Sequence, residues 1–499
     1  MKTYSGVKVV NEGKYYFISY KREDKQEVER YLEGMVGRGM PIWYDSGLKV
    51  GQKWGKVIDN KIENCEAVIL FLSKKVFQNG RTYVYKEWKK AGLYKKKIHP
   101  ILLENINENN VHPDCYKWWE EISRIHNVSV HDVGLDACVN EILEVAGYKI
   151  QDDLFEVESN VLKKYKSNES VVEILDGVEI IGEKAFSDCK SVTEITIPEG
   201  VTNIGDYAFE NCSLLSKITI PEGVASIGVG AFYNCISLSN VVIPTSVRSI
   251  GNEAFAGCRS ITEIAIPDGI TSIGALTFAD CDRLMNVVIP DSVTSIGNSA
   301  FYNCAWIIAI KIPDGVTNID GGAFSFCNNL ADFIIPKGVT SIGIGIFQGC
   351  TSLTSIEIPS GVTSIGDMAF YDCYSLSDIK IPKGVTSIGK EAFAGCRSIT
   401  EIVIPDGITS IGDAAFFRCN SLVEAVIGDG VASIGNCAFE RCSSLAEITI
   451  PDTVKSIGKY AFDKCTNLKV IHYRGTEAEW SLVEGKEWIP ADCQICFEK

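Results

Sequence analysis

Few side chains in this 499-residue chain have the type and spacing to do chemistry. The best placed is Glu87, which follows an apolar run at 67–72 that closes on Ser73. Such a run reads as a buried central strand, and the carboxyl ends of these strands are where open α/β sheets collect ligands. By residue type alone, Glu87 stands among Lys86, Lys89 and Lys90, the pattern of a solvated ion pair worth under about 1 kcal/mol. The other candidates are thinner. Cys493 and Cys496 make one C-x-x-C with no second pair and no nearby histidine, weak grounds for zinc or redox work. His99, His112, His126, His131 and His472 show no metal spacing, and the chain has no G-x-S-x-G, Walker loop or G-x-G-x-x-G. No metal and no bound cofactor are expected.

The elements that would carry Glu87 follow from periodicity. Residues 15–19 and 40–43 read as short strands, 67–72 and 98–103 as longer ones. Between them, 23–38 has helical spacing with Val28, Tyr31, Leu32 and Met35 on one side, and 52–65 presents Trp54, Val57, Ile58 and Ile62. Strand-helix alternation implies a parallel, doubly wound sheet over the first 150 residues.

The charge is uneven. Residues 1–150 hold 24 Lys and Arg against 20 Asp and Glu, so they sit near +4 and the rest of the chain near −20, within a total of −16. That asymmetry marks two modules and argues against nucleic acid as a partner of the larger one. No stretch approaches 18 apolar residues and the N-terminus has no secretion-signal pattern, so the expectation is a cytoplasmic protein with no membrane partner.

The larger module is a repeat. A unit close to I-P-x-G-V-T-S-I-G-x-x-A-F-x-x-C-x-S-L-x-x-I-x opens on an isoleucine at 174 and recurs every 23 residues to 450, giving thirteen units over 174–472 without an insertion. A 23-residue unit cannot bury its own apolar face, whereas stacked units build a continuous core. Ile204, Phe209, Cys212, Leu215 and Ile218 are the inward set of one unit; Gly205 is expected to turn the chain with positive φ, and Pro198 to end pairing on its edge. One strand per unit gives a rod or arc with a core roughly 60 Å long. Residues 151–173, with a short helix expected at 160–166, cap the first rung, and 473–499 cap the last with Trp480, Leu482, Trp488 and Ile489.

Thirteen of the nineteen cysteines sit at one position of the repeat, where a small buried thiol packs the core and a reducing compartment keeps it free. The outward position three before each opening isoleucine ends in Asp378, Glu401, Glu424 and Glu447, about one rung apart. Like charges so close repel, and the row is either a solvated face or a strip for a basic ligand. Tyr233, Tyr302 and Tyr371 recur three units apart, while 253–264 and 391–402 are identical six units apart, so duplication of blocks explains the tyrosine spacing.

The array resembles the BspA-type leucine-rich repeats, whose members mostly bind other molecules through the solenoid surface. In the first module, F-I-S-Y-K-R-E-D from Phe17, W-Y-D-S-G-L-K-V-G-Q-K-W from Trp43, F-L-S from Phe71 and Y-V-Y-K-E-W from Tyr83 together resemble a TIR domain over about 13–148. TIR domains divide into scaffolds and NAD+-consuming enzymes. By this resemblance Glu87 occupies the glutamate position of the enzymes, where a carboxylate stabilises oxocarbenium character on the ribose as the nicotinamide, a cationic pyridinium in the substrate, departs. The resemblance also implies that Tyr83 stands where active relatives stack a Trp on substrate, that Tyr20, Lys21 and Arg22 lie near the same pocket with the two basic residues set to meet the pyrophosphate, that Ser73 lies beneath the site, and that the loop beginning at Asp45 completes it between associated TIR domains. The implied function is NAD+ glycohydrolysis switched on by self-association, with the solenoid as recognition arm for an unidentified protein or other ligand. The alternative is a non-enzymatic adaptor.

Overall fold

In the computed structural model the described residues are 2–4, 7–9, 14–44, 54–78, 82–125, 128–130, 134–148 and 154–499. They fall into two compact units that meet at Glu156 and Val157.

In the N-terminal unit a short antiparallel pair, β1 (Lys2–Tyr4) and β2 (Val7–Val9), precedes a five-stranded parallel sheet. Its strands are β3 (Tyr16–Ser19), β4 (Ile42–Tyr44), β5 (Ala67–Leu72), β6 (Lys97–Leu102) and β7 (Val128–Ser129), in the order β4-β3-β5-β6-β7. β5 is buried along its whole length, which is why it reads as an unbroken apolar run. Helices α1 (Lys25–Gly37) and α6 (Leu135–Val145) pack together, as do α2 (Trp54–Asn64) and α4 (Tyr83–Leu93). The remaining helices are α3 (Lys74–Gln78) and α5 (Tyr116–Ser123). From β3 the chain crosses to β4 on one side, and β5 then pairs with β3 on the other. The carboxyl ends of β3 and β5 therefore flank a topological switch point, where open sheets leave a crevice.

The second unit is a stack of rungs with two short strands per unit, not the single strand expected. One row runs through Glu194–Thr196 and Lys217–Thr219, the other through Asn203–Ile204 and Ser226–Ile227, each pairing in parallel with its counterpart 23 residues on. A third ladder joins the rungs at their turns. Tyr207, Phe209 and Asn211 donate their N–H groups to the carbonyls of Val229, Ala231 and Tyr233 at 2.7–2.8 Å. Two residues four apart in this turn have φ > 0, Tyr207 (53°) and Asn211 (57°). Gly205 does not have positive φ; its place is fixed by crowding, since a Cβ there would lie 2.8 Å from backbone atoms of Gly182 and Glu183 in the preceding unit.

Inside the stack, rings from Tyr165 through Phe186 and Phe209 to Phe462 lie face to face with centroids 5.1–6.1 Å apart and planes within 28°. The widest gap, Phe324 to Phe347, holds Phe333 edge-on at 4.8 Å from both. Beside the rings, each thiol from Cys212 to Cys465 donates to the carbonyl of the phenylalanine 26 residues earlier, as Cys212 does to Phe186 at 3.1 Å. Cysteine is thus both filler and a donor for a buried carbonyl. Burial pushes these thiols up, Cys235 and Cys327 to about 12.

Both ends differ from expectation in detail. The expected helix at 160–166 is a strand, β9 (Val161–Tyr165), which follows β8 (Phe155–Glu158) and pairs in parallel with Ile180–Ile181. Ser159 and Asn160 turn between the two strands with positive φ, and Leu162 and Tyr165 point inward, so the pull of the open rung overrides local helical preference. At the other end Leu482 is 78% exposed and covers nothing; Val483 and Trp480 are the buried residues. The closing strand, Gln494–Phe497, pairs with Val470–Tyr473 and covers the sheet edge.

Candidate active site

β3 ends at the switch point on Ser19, and the chain continues through Tyr20, Lys21 and Arg22 into a single 3-10 turn, Arg22–Asp24. Across the crevice Thr82 caps α4, its hydroxyl accepting from the Tyr85 N–H at 3.4 Å. Glu87 lies one turn into α4, with Val84 of the same turn buried in the core. The Ser19 hydroxyl, itself only 2% exposed, donates to Glu87 Oε2 at 2.5 Å. That bond ties the helix carboxylate to the end of the sheet.

A cavity of about 880 Å³ opens around this pair. Phe17, Ile18 and Ser19 form its floor, Tyr20, Lys21, Arg22 and Glu23 one wall, and Thr82, Tyr83, Val84, Lys86, Glu87 and Lys90 the other, with Gly55 and Ile58 of α2 closing it. Of the residues singled out in the sequence, Glu87, Tyr20, Lys21, Arg22 and Tyr83 come together here. Tyr83 is 77% exposed, with Lys86 Nζ 5.1 Å from its ring centre. Asp45 lies outside the described residues.

Ser73 is not among the residues lining the cavity. Its hydroxyl donates to Asp24 Oδ2 at 2.5 Å, and Lys75 Nζ donates to Asp24 Oδ1 at 3.1 Å. Asp24 is 3% exposed, a buried carboxylate satisfied by one hydroxyl and one ammonium. Lys21 Nζ in turn donates to the Lys75 carbonyl at 2.8 Å. The group braces the turn that carries Tyr20, Lys21 and Arg22, so Ser73 acts on the cavity wall through Asp24. Sequence reasoning missed Ser19, Lys86 and Lys90 in the lining. Ser19 was legible as the polar residue closing an apolar strand, the same signal that drew attention to Ser73. Lys90 pairs with Asp59 of α2, which fixes it at the rim.

Among the described residues no group of three or more His, Cys, Asp or Glu is arranged to hold a metal ion, and no helix is long and apolar enough to cross a membrane. The site offers two carboxylates, Glu23 and Glu87, several cations and an exposed aromatic ring. Such a set suits a ligand that carries phosphates, a flat ring and a carbon that becomes cationic.

Comparison with known proteins adds the families. A family model described as the BspA type leucine-rich repeat region matches residues 155–285, 271–400 and 386–479, together well over half of the chain. The chain belongs to the BspA-type leucine-rich repeat family. A TIR domain model matches residues 17–141, so the crevice just described is the switch-point crevice of a TIR domain. A crystal structure of a leucine-rich repeat protein from Bacteroides ovatus is 32% identical with a TM-score of 0.58, covering 69% of this chain and 97% of that one. A leucine rich cell surface protein from Faecalibacterium prausnitzii is 31% identical with a TM-score of 0.49, covering 66% and 95%. No curated protein matches the chain.

Proposed function

We propose that the TIR domain is an NAD+ glycohydrolase that works when copies associate, and that the BspA-type repeats are its recognition and assembly arm. The observation that carries this reading is the Ser19–Glu87 pair lining a cavity of about 880 Å³, large enough for a dinucleotide. In the reaction the bond between nicotinamide and ribose breaks with its electron pair going to nicotinamide, and water adds to the ribose carbon, giving ADP-ribose and a proton. Where the product is cyclic, a nucleophile within the substrate takes the place of water. Glu87 faces the cationic ribose carbon and holds its hydroxyls, Tyr83 stacks on a ring, and Lys21 and Arg22 meet the pyrophosphate. Nicotinamide leaves neutral, so no strong general acid is needed. NAD+ is the substrate and no separate cofactor takes part. The wider role that fits this combination is bacterial defence against phage or stress, through loss of NAD+ or release of a nucleotide signal.

The test is nicotinamide release by the full chain, concentrated on a multivalent support, beside Glu87→Ala. Release by the first and not the second supports the enzyme. Silence of both when clustered favours an adaptor TIR domain that binds its own kind without chemistry.

A further inference from the structure

The repeat is regular enough for departures from it to carry meaning. Six residues before the opening isoleucine, eight of thirteen units carry Ser, but one carries Trp306. Four before it, Ser and Thr prevail, but two successive rungs carry Met285 and Ile308. One before it, on the outward side of the strand, stand Val242, Val288 and Ile334. All six are exposed, Ile334 by 82% and Val242 by 80%. They lie within five consecutive rungs, where apolar side chains are densest on this face; the outer row is interrupted by Ala265 and Lys311, and farther along the same positions carry an apolar side chain larger than alanine only at Val403, Val423 and Val426. Nothing in the stacking requires the six: the inward residues of the same rungs, Phe278, Phe301 and Phe324, already fill the core.

Farther along the same face a run of carboxylates is added. Asp378, Glu401, Glu424 and Glu447 occupy the outward position three before the isoleucine on four successive rungs, and Glu401, Glu424 and Glu447 face one another in register. Among the described residues Asp378, Glu401 and Glu424 form no ion pair, and Glu447 has only His472 at 3.2 Å. Like charges at one-rung spacing repel, and the covalent repeat holds them there. A cationic partner relieves that repulsion.

We infer that this face of the repeats is a docking surface for a polypeptide segment with an apolar block followed by a cluster of Lys or Arg, laid across the rungs with its apolar end toward the N-terminal units. The spacing sets its length. Two rungs separate Ile334 from Asp378, roughly 10 Å, the reach of about three extended residues. The whole face from Val242 to Glu447 spans nine rungs, roughly 43 Å, or about thirteen extended residues. The inference rests on the recognition half of the proposed function and not on NAD+ chemistry, because binding is read directly.

The test uses the full chain and a fluorescent synthetic peptide with four alternating Leu and Phe, a three-residue Gly-Ser spacer and four alternating Lys, beside a counter-probe with Glu for Lys. Anisotropy is read across a NaCl series. The expected result is binding of the Lys probe at least tenfold tighter than the Glu probe, weakened by salt. Ile334→Glu and the pair Glu401→Lys with Glu424→Lys should each weaken it at least tenfold while melting stays within a degree or two, since all three side chains are exposed. Equal binding of both probes, no binding of the Lys probe up to millimolar concentration, or variants that bind unchanged would overturn the inference. So would a concentration-dependent dimer in sedimentation that Ile334→Glu abolishes, because the face would then belong to a second copy.

Discussion

Ser19 and Glu87 are 68 residues apart in the chain and 2.5 Å apart in the fold, the hydroxyl at the end of β3 donating to the carboxylate on α4. That bond holds one oxygen of Glu87, and Glu87 lines the cavity. A side chain on a helix would otherwise sample several rotamers, and orientation of a catalytic carboxylate is worth a large share of its effect. Ser19 is therefore a positioning residue for the proposed reaction. Removing a hydrogen bond to a charged group costs about 1.5–3 kcal/mol, so Ser19→Ala should lower kcat for nicotinamide release by roughly 10- to 100-fold. Ser19→Thr, which keeps the hydroxyl, should recover part of that loss. A fall in kcat/KM carried by KM alone in Ser19→Ala would mean the hydroxyl serves binding and not Glu87.

Acid should loosen the TIR domain through His99 on β6. Its Nε2 is buried with no hydrogen-bond partner among the described residues, and burial together with the nearby Lys97 lowers its pKa below the usual 6.5. The folded state therefore prefers the neutral ring. That contribution is fully present above about pH 6.5 and is lost as pH falls through the lowered folded value. Denaturant titrations of the full chain at pH 7.5 and 5.5 should show the first transition weakening with acid, and His99→Gln should flatten the difference. An unchanged slope in the variant would assign the acid sensitivity elsewhere.

The buried thiols should be silent to reagents while the stack stands. Thiolate is the reactive form, and burial holds the thiols from Cys212 to Cys465 well above their ordinary range. With an aromatic disulfide at pH 8, native protein should lose only thiols outside that row, such as the part-exposed Cys496, and all nineteen should react in guanidinium. Rapid reaction of the row in native protein would show that the rungs open readily.

Cutting into the ring stack should be costly in the middle. Phe324→Ala removes a ring between Phe301 and Phe347 and takes away one of the two edge contacts of Phe333. A loss of about 3–5 kcal/mol is expected, read as a lower denaturation midpoint of the repeats. Cys327→Ala, which removes a small side chain and one hydrogen bond to Phe301, should cost about 1–2 kcal/mol.

Ending the chain at His472 should promote aggregation. It deletes the buried Tyr473, Trp480 and Val483 and the closing strand, and bares a parallel sheet edge. Monomeric, folded protein of that length in size-exclusion chromatography would contradict this.

Much of this was legible in advance, for identifiable reasons. β5 was readable to the residue because a strand buried on both faces leaves an unbroken apolar run, and the repeat because thirteen copies average away local noise. The second strand of each unit was not, because Ser-Ile pairs of two residues are too short to alternate. The turn ladder was hidden because its positive-φ positions hold Tyr, Asn, Glu, Met and Arg as readily as Gly; neighbouring rungs, not residue type, impose the conformation. In the site, Glu87 and the residues after β3 could be placed by motif. The contact of Ser73 with Asp24 was not legible, because it is a long-range one between the residue after β5 and the turn before α1.

The exact 23-residue register has a further consequence. Residues 253–264 and 391–402 are identical and lie six periods apart. An exchange between these two stretches would splice the chain to itself, removing six rungs and leaving the local sequence and the 23-residue register at the seam unchanged. The stack can thus be shortened, or lengthened by the reciprocal event, without designing a new junction. Reach becomes a heritable variable while the chemistry of the TIR domain and the two end caps stays untouched, and a population of such genes could explore length far faster than it explores shape.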